Sequence, residues 1–310
     1  MKSLFIKILA SYAILNRGFD QTNLTGSVGA VTYRRVGGET IASQKVPPRQ
    51  EWKPTWALMY RRMLWPNLVA LFRLINVVGW HPSFMGKAPR VSDFNAFMAK
   101  NVSNPATRVF LDKGFAQSGA AVAVPVVVSD GNLPSVVLSA GENNVFVSNI
   151  AAGGLVIAAS TTVGSFSDAI VSANPDWRNK DQLTVIVLRQ SIDSGSGMPI
   201  IKAEHAKVVL DVDDEVNLLS DTGLNQMLQV VDGYIALAGV VVGGATIIHS
   251  RDVVGDETMV STQALTMNSP IMAVYQTQQA FESAAMSYGG VRTAQYLTPR
   301  SGSDEVFPQV

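Results

Sequence analysis

The sequence predicts an α+β protein, with a basic N-terminal region of hairpin and helices followed by a β-rich, sandwich-like body carrying a few helices. Three observations lead there. Charge is segregated along the chain: residues 1–115 hold 16 Lys+Arg against 5 Asp+Glu, residues 116–310 hold 8 against 19, and the net charge is zero. Apolar and aromatic residues recur at helical spacing between Trp56 and Ile75. Beyond residue 118 the pattern becomes short β-branched runs separated by Gly, Asn and Asp.

The elements follow in order. Met1–Asn16 starts like a leader, with Lys2 before an apolar stretch, but Lys7 interrupts it and no small-x-small cleavage pattern follows. An ordered arm or a short helix is expected there. Val28–Arg35 alternates like a strand, Gly37-Gly38 supplies a turn and Thr40–Lys45 returns, which predicts a β-hairpin. Pro47-Pro48 stiffens the exit. Thr55 is the expected N-cap of a helix in which Pro66 either makes a break or kink, or starts a second helix. Ser92 or Asp93 caps a further helix, Phe94–Asn101.

Strands are expected at Ala121–Val128, Ser135–Ser139, Val145–Val147, Gly154–Ala159, Leu183–Arg189, Lys207–Val212, Gly233–Ala238, Thr246–Arg251 and Met259–Leu265. Helices are expected at Ser165–Ser172 and Ile271–Ser287. That spacing fits a β-sandwich or a pair of small β-rich units. The resulting division is 1–50 arm and hairpin, 51–117 basic helical region, 118–297 β-rich domain and 298–310 tail.

Composition limits the chemistry. Without cysteine there are no disulfides, thiolate metal sites or cysteine nucleophiles. His81, His205 and His249 lack metal-ligand spacing to one another. His249, Ser250 and Asp252 form a triad in letters only, since neighbours on a strand point to opposite faces. The acidic run Asp211–Glu215 lacks the Gly and Glu positions of a calcium loop and reads as a solvated turn. No phosphate loop, dinucleotide fingerprint or nucleophile elbow occurs. An enzyme would require His249, Arg251 and acidic residues in one pocket, which spacing alone does not supply. The 25 uncharged residues between Glu142 and Asp168 are too rich in Gly, Ser, Thr and Asn to be a membrane span.

The basic residues carry the interaction reading. Arg34, Arg35, Lys45 and Arg49 belong to the hairpin and its exit, and Arg61, Arg62 and Arg73 to the helices. They could contact phosphates, or pair with the acidic half of a neighbouring copy. Trp52, Trp56, Tyr60 and Trp65 would suit base stacking, but helical periodicity assigns them to the core. A charged fraction of 15% is well below the usual quarter, which fits either a Gly/Ala/Val-rich β protein or a surface covered by other copies.

The order of several motifs resembles a family. Gly26-Ser-Val-Gly29-x-Val31-x-x-Arg34 precedes Gly37-Gly38, then Met59-x-x-Arg62-x-x-Trp65-x-Asn67-Leu-Val69-x-x-Phe72-Arg73. Ser92-Asp93-Phe94-Asn95-x-Phe97-x-x-Asn101 and Val126-x-Val128-Ser129-x-Gly131-x-Leu133-Pro134 follow, with a fainter echo in Arg251 and Val260-Ser-Thr-Gln263. Together these resemble a poorly characterised family of Bacteroidota and their viruses that includes structural proteins of crAss-like tailed phages.

The resemblance implies a non-enzymatic virion component. It would be a homo-oligomeric ring or connector near the portal vertex, assembled in the bacterial host cytoplasm, with a capsid-associated decoration protein as the next choice. Its implied partners are further copies of itself, portal or neighbouring ring and capsid proteins, and packaged DNA, with no membrane. No cofactor, metal or catalytic residue is expected. The alternative is a DNA-binding architectural protein using the basic N-terminal region, although the tip Val36-Gly37-Gly38 carries no proline-tipped apolar wedge for minor-groove intercalation.

Overall fold

Alternation around Gly37-Gly38 produces the hairpin: Val31–Val36 pairs antiparallel with Glu39–Gln44, in register from Val31↔Gln44 to Val36↔Glu39. In this computed structural model the described residues are 12–14, 26–36, 39–45, 55–76, 83–224, 227–239, 242–253 and 257–289. The chain divides into two units, Met1–Lys53 and Pro54–Val310. In the first, Tyr12–Ile14 (β1), Gly26–Val28 (β2), Val31–Val36 (β3) and Glu39–Gln44 (β4) form one antiparallel sheet of order β1-β4-β3-β2. Residues 12–14 are therefore strand rather than helix. Gly29 takes a positive φ of 58° in the turn that splits the expected Val28–Arg35 strand into β2 and β3.

The second unit begins with Trp56–Ile75 (α1), Ser83–Phe84 (β5), Asp93–Val102 (α2), Lys113–Gln117 (α3), Val127–Asp130 (β6), Leu138–Ala140 (β7) and Phe146–Ala151 (β8). It continues with Val163–Ala173 (α4), Gln182–Ile192 (β9), Pro199–Val209 (β10), Leu228–Val231 (β11), Tyr234–Leu237 (β12) and Gly243–Val253 (β13). Glu257–Val260 (β14), Gln263–Ala264 (β15), Thr266–Met267 (β16) and Gln278–Met286 (α5) complete it. The fold class is α+β with a β-rich body.

Caps behave as the side chains dictate. Thr55 Oγ1 accepts from Leu58 N at 3.3 Å and Ser92 Oγ from Asn95 N at 3.3 Å. Pro66 neither breaks the helix nor starts another, because α1 runs unbroken through it. Proline costs an interior hydrogen bond. Burial of Met59, Met63, Leu64, Leu68, Leu71 and Ile75 along one face outweighs that local cost. Residues 154–159 are not a strand, since Gly153 and Gly154 turn the chain with φ of 58° and 80°. Helix α5 is shorter than expected because Thr277 caps it, accepting from Ala280 N at 3.2 Å.

One sheet organises the second unit. Its order is β10-β9-β13-β14, with β16 also on β13. Strands β9 and β13 are apolar on both faces, so each face needs its own covering layer. Leu183, Val185, Val187, Ala245 and Ile247 face one core, together with α4 and the sheet β11-β12-β8-β7. Ile186, Leu188 and Ile248 face the other, with α1, α2 and residues 120–126. The helices of 51–117 and the strands of 118–297 thus share packing within one unit.

Ala121–Val126 joins no strand ladder. Side chains take several of its backbone groups. Buried Asn67 donates Nδ2 to Val122 O at 3.0 Å and accepts Val122 N at 2.8 Å. Gln190 accepts Ala123 N at 2.7 Å, and Asn101 holds Val127 by N at 2.8 Å and by O at 3.0 Å. Two amides therefore fasten α1 and α2 to this segment as a neighbouring strand would. Gly131 closes the joint: a Cβ there would lie 2.1 Å from Val260 O, so only glycine permits that approach.

Candidate functional site

The outward face of α1 is spaced for a groove. Leu58, Arg61, Arg62, Trp65, Pro66, Val69, Ala70 and Arg73 recur at helical intervals. With Lys113, Ala116, Gln117 and Gly119 of the α3 region, and Tyr288, they line a cavity of about 860 Å³. Its lining holds four cations and no carboxylate. The floor is apolar, and Trp65 is 41% exposed at its edge.

The cations differ in their commitments. Arg62 donates Nη1 to Tyr288 O at 2.8 Å. Arg61, Arg73 and Lys113 form no ion pair among the described residues. Asp112, next in sequence to Lys113, is already engaged: its carboxylate accepts Phe115 N at 2.9 Å and Tyr275 OH at 3.0 Å. Burial, and then the charge of Asp112, push the Tyr288 phenol up to about 12, so it adds no negative charge near neutral pH.

Of the residues singled out from sequence, Arg61, Arg62 and Arg73 come together here. Lys113 was missed, because only the packing of α3 beside α1 reveals it. Trp65 was assigned to the core and is instead part of the groove wall, one turn from Arg61. Trp56 and Tyr60 do pack inward, with Tyr60 5.1 Å from Phe281, ring centroid to centroid. Arg34 and Arg35 are exposed on β3 of the first unit, on opposite faces of its sheet because they are consecutive. Lys45 is exposed at the end of β4, while Arg49 and Trp52 lie outside the described residues.

A second polar constellation lies inside the other core. His249 and Arg251, two apart on β13, share a face and meet Asp181, just before β9. His249 Nε2 is 2.8 Å from Asp181 Oδ2, Arg251 Nε donates to Oδ1 at 2.6 Å, and Arg251 Nη2 to Oδ2 at 2.7 Å. The Arg178 amide adds a further donor at 2.8 Å, and Trp177 stacks on the imidazole with centroids 3.9 Å apart.

Burial alone would raise the Asp181 pKa. Hydrogen bonds from Arg251, His249 and Arg178, and then the charge of His249, overcome it and hold the group down to about 2. The acidic partner of His249 is thus Asp181, from 68 residues away, while Ser250 points to the opposite core. Sheet register alone reveals that pairing. Side-chain exposure is 0% for His249, 1% for Asp181 and 17% for Arg251, so the imidazole presents no atom to solvent. The arrangement ties β13 to the 176–181 turn.

Both sites belong to a larger separation. The layer built from residues 55–126 holds eight Lys+Arg against two Asp+Glu. The layer from 138–181 and 210–239, on the other face of the central sheet, holds two against ten. Charge segregated along the sequence is therefore segregated through space. Among the described residues no helix is long and apolar enough to cross a membrane. Comparison with protein-family models, curated proteins and solved structures finds no match to this chain.

Proposed function

We propose that the chain is a structural subunit of a tailed-phage particle that assembles into a homo-oligomeric ring or connector near the portal vertex. The basic layer of one copy would meet the acidic layer of the next. The observation that carries this reading is the opposite sign of the two layers on opposite faces of one sheet. Two different patches that complement each other make a heterologous contact, and such contacts close into rings when the rotation permits. Charge would orient the encounter, and apolar burial over about 1,600 Å² would hold it. Portal, neighbouring ring or capsid proteins are the further partners expected of such a subunit.

Mass photometry of the full chain across a salt series tests this. A discrete closed species that dissociates as salt rises is expected. A monomer at every concentration and ionic strength would remove the reading.

A second reading, DNA contact through the same basic layer, is favoured by Arg61, Arg73 and Lys113 of the groove, which form no ion pair among the described residues. It predicts a gel shift at low salt that weakens steeply with added salt and is lost when Arg61, Arg62 and Arg73 become Ala. Absence of any shift for the native chain at low salt would exclude it.

A further inference from the structure

Resting on that assembly reading, we infer which surfaces meet: the α1 groove of one copy receives the acidic ridge formed by residues 211–216 of a second copy. The ridge combines Asp211, Asp213, Asp214 and Glu215 with exposed Val212 and Val216. Its mixture of carboxylates and branched apolar groups matches a groove lined by four cations together with Leu58, Pro66, Val69 and Ala70.

The ridge is pre-shaped. Gly164 N donates to Asp214 O at 2.7 Å and Val163 N to Val216 O at 2.8 Å, so its carbonyls satisfy the first amides of α4. Asp211 N donates to Ser167 Oγ at 2.9 Å, and the Asp211 carboxylate pairs with Lys180. A Cβ on Gly164 would lie 2.7 Å from Val212 O, so glycine allows the ridge to sit this close to the helix. Holding a loop in its bound form lowers the entropy lost on docking. Asp213 and Glu215 remain exposed.

The partner must be a second copy. Groove and ridge lie on opposite faces of the central sheet in one unit, so a chain cannot place its own ridge in its own groove. The contact is therefore head to tail, and each subunit offers one groove and one ridge.

Charge exchange in the full-length chain tests the pairing. Arg61→Glu with Arg73→Glu makes the groove acidic, and Asp213→Lys with Glu215→Lys makes the ridge basic. Each double variant, checked for an unchanged thermal melt, is expected to self-associate at least about a hundredfold more weakly than the native chain. Mixed together, the two should recover association, since both contacts are again between opposite charges. Assembly of the native chain and of the acidic-groove variant alike would overturn this contact and leave the ring reading standing. Failure of the mixture to form even a heterodimer would also overturn the contact. Failure of the native chain to associate under any condition would remove the ring reading and the contact with it.

Discussion

Arg251 and Arg61 are the same side chain under opposite conditions. Arg251 joins His249 on Asp181, donating to both of its oxygens, and Trp177 stacks on the imidazole. Arg61 stands in an open groove with other cations and no carboxylate in the lining. The first charge is satisfied within the molecule; the second has no ion pair among the described residues. A buried charge set strongly destabilises the fold when one partner is removed, whereas an exposed cation contributes little to folding. The two cations thus stand under opposite conditions on opposite faces of the central sheet.

The widest gap between the two regions should come from Asp181→Ala. It strands Arg251 and removes the hydrogen-bond partner of His249, and should cost about 3–5 kcal/mol in urea denaturation. A loss below about 1 kcal/mol would mean the cluster is not what ties β13 to the 176–181 turn. Asn67→Ala should come next, at about 2–3 kcal/mol, because it orphans both the N–H and the C=O of buried Val122. That loss should appear in unfolding measurements as a lower midpoint with an unchanged denaturant slope.

Acid should act on only one of the two regions. The Asp181 pKa lies below its ordinary 3.8, at about 2, so its contribution is fully present above pH 4 and is lost as pH falls towards 2. Roughly 2 kcal/mol should disappear over that window in stepped-pH denaturation, and Asp181→Asn should remove that part of the slope. Smallest of all, Arg61→Ala should change folding stability by no more than about 0.5 kcal/mol. A larger destabilisation would place Arg61 with Arg251 as a structural cation and erase the comparison.

Sequence reading found what is local. Thr55 and Ser92 declare their helices by capping chemistry, and alternating runs on either side of Gly37-Gly38 pair as β3 and β4. It could not see that Asn67, Gln190 and Asn101 would take several backbone bonds of residues 121–127, so a strand was expected where the segment is held by amides. Nor could it pair His249 with Asp181, because that contact depends on the register of β9 and β13. In the groove, Arg61, Arg62 and Arg73 were legible as a basic helix face. Trp65 was misassigned because helical period alone does not say which apolar face packs inward. Asn67, Asn101, Ser129 and Gly131, which the spaced motifs include, are joints of the scaffold: Ser129 Oγ, for instance, donates to Ser261 O at 2.7 Å.

The sheet with two apolar faces also orders events during folding. Strands β9 and β13 pair across a long stretch of chain, from Gly243↔Arg189 to Ser250↔Gln182. Closing that loop costs entropy before any packing is recovered, which makes the pairing a slow step. The helical layer has little to pack on until the pair exists, and the acidic layer is in the same position. A nascent chain would therefore display neither layer in finished form before it could display both. If copies join as proposed, half-built ones would be poor partners.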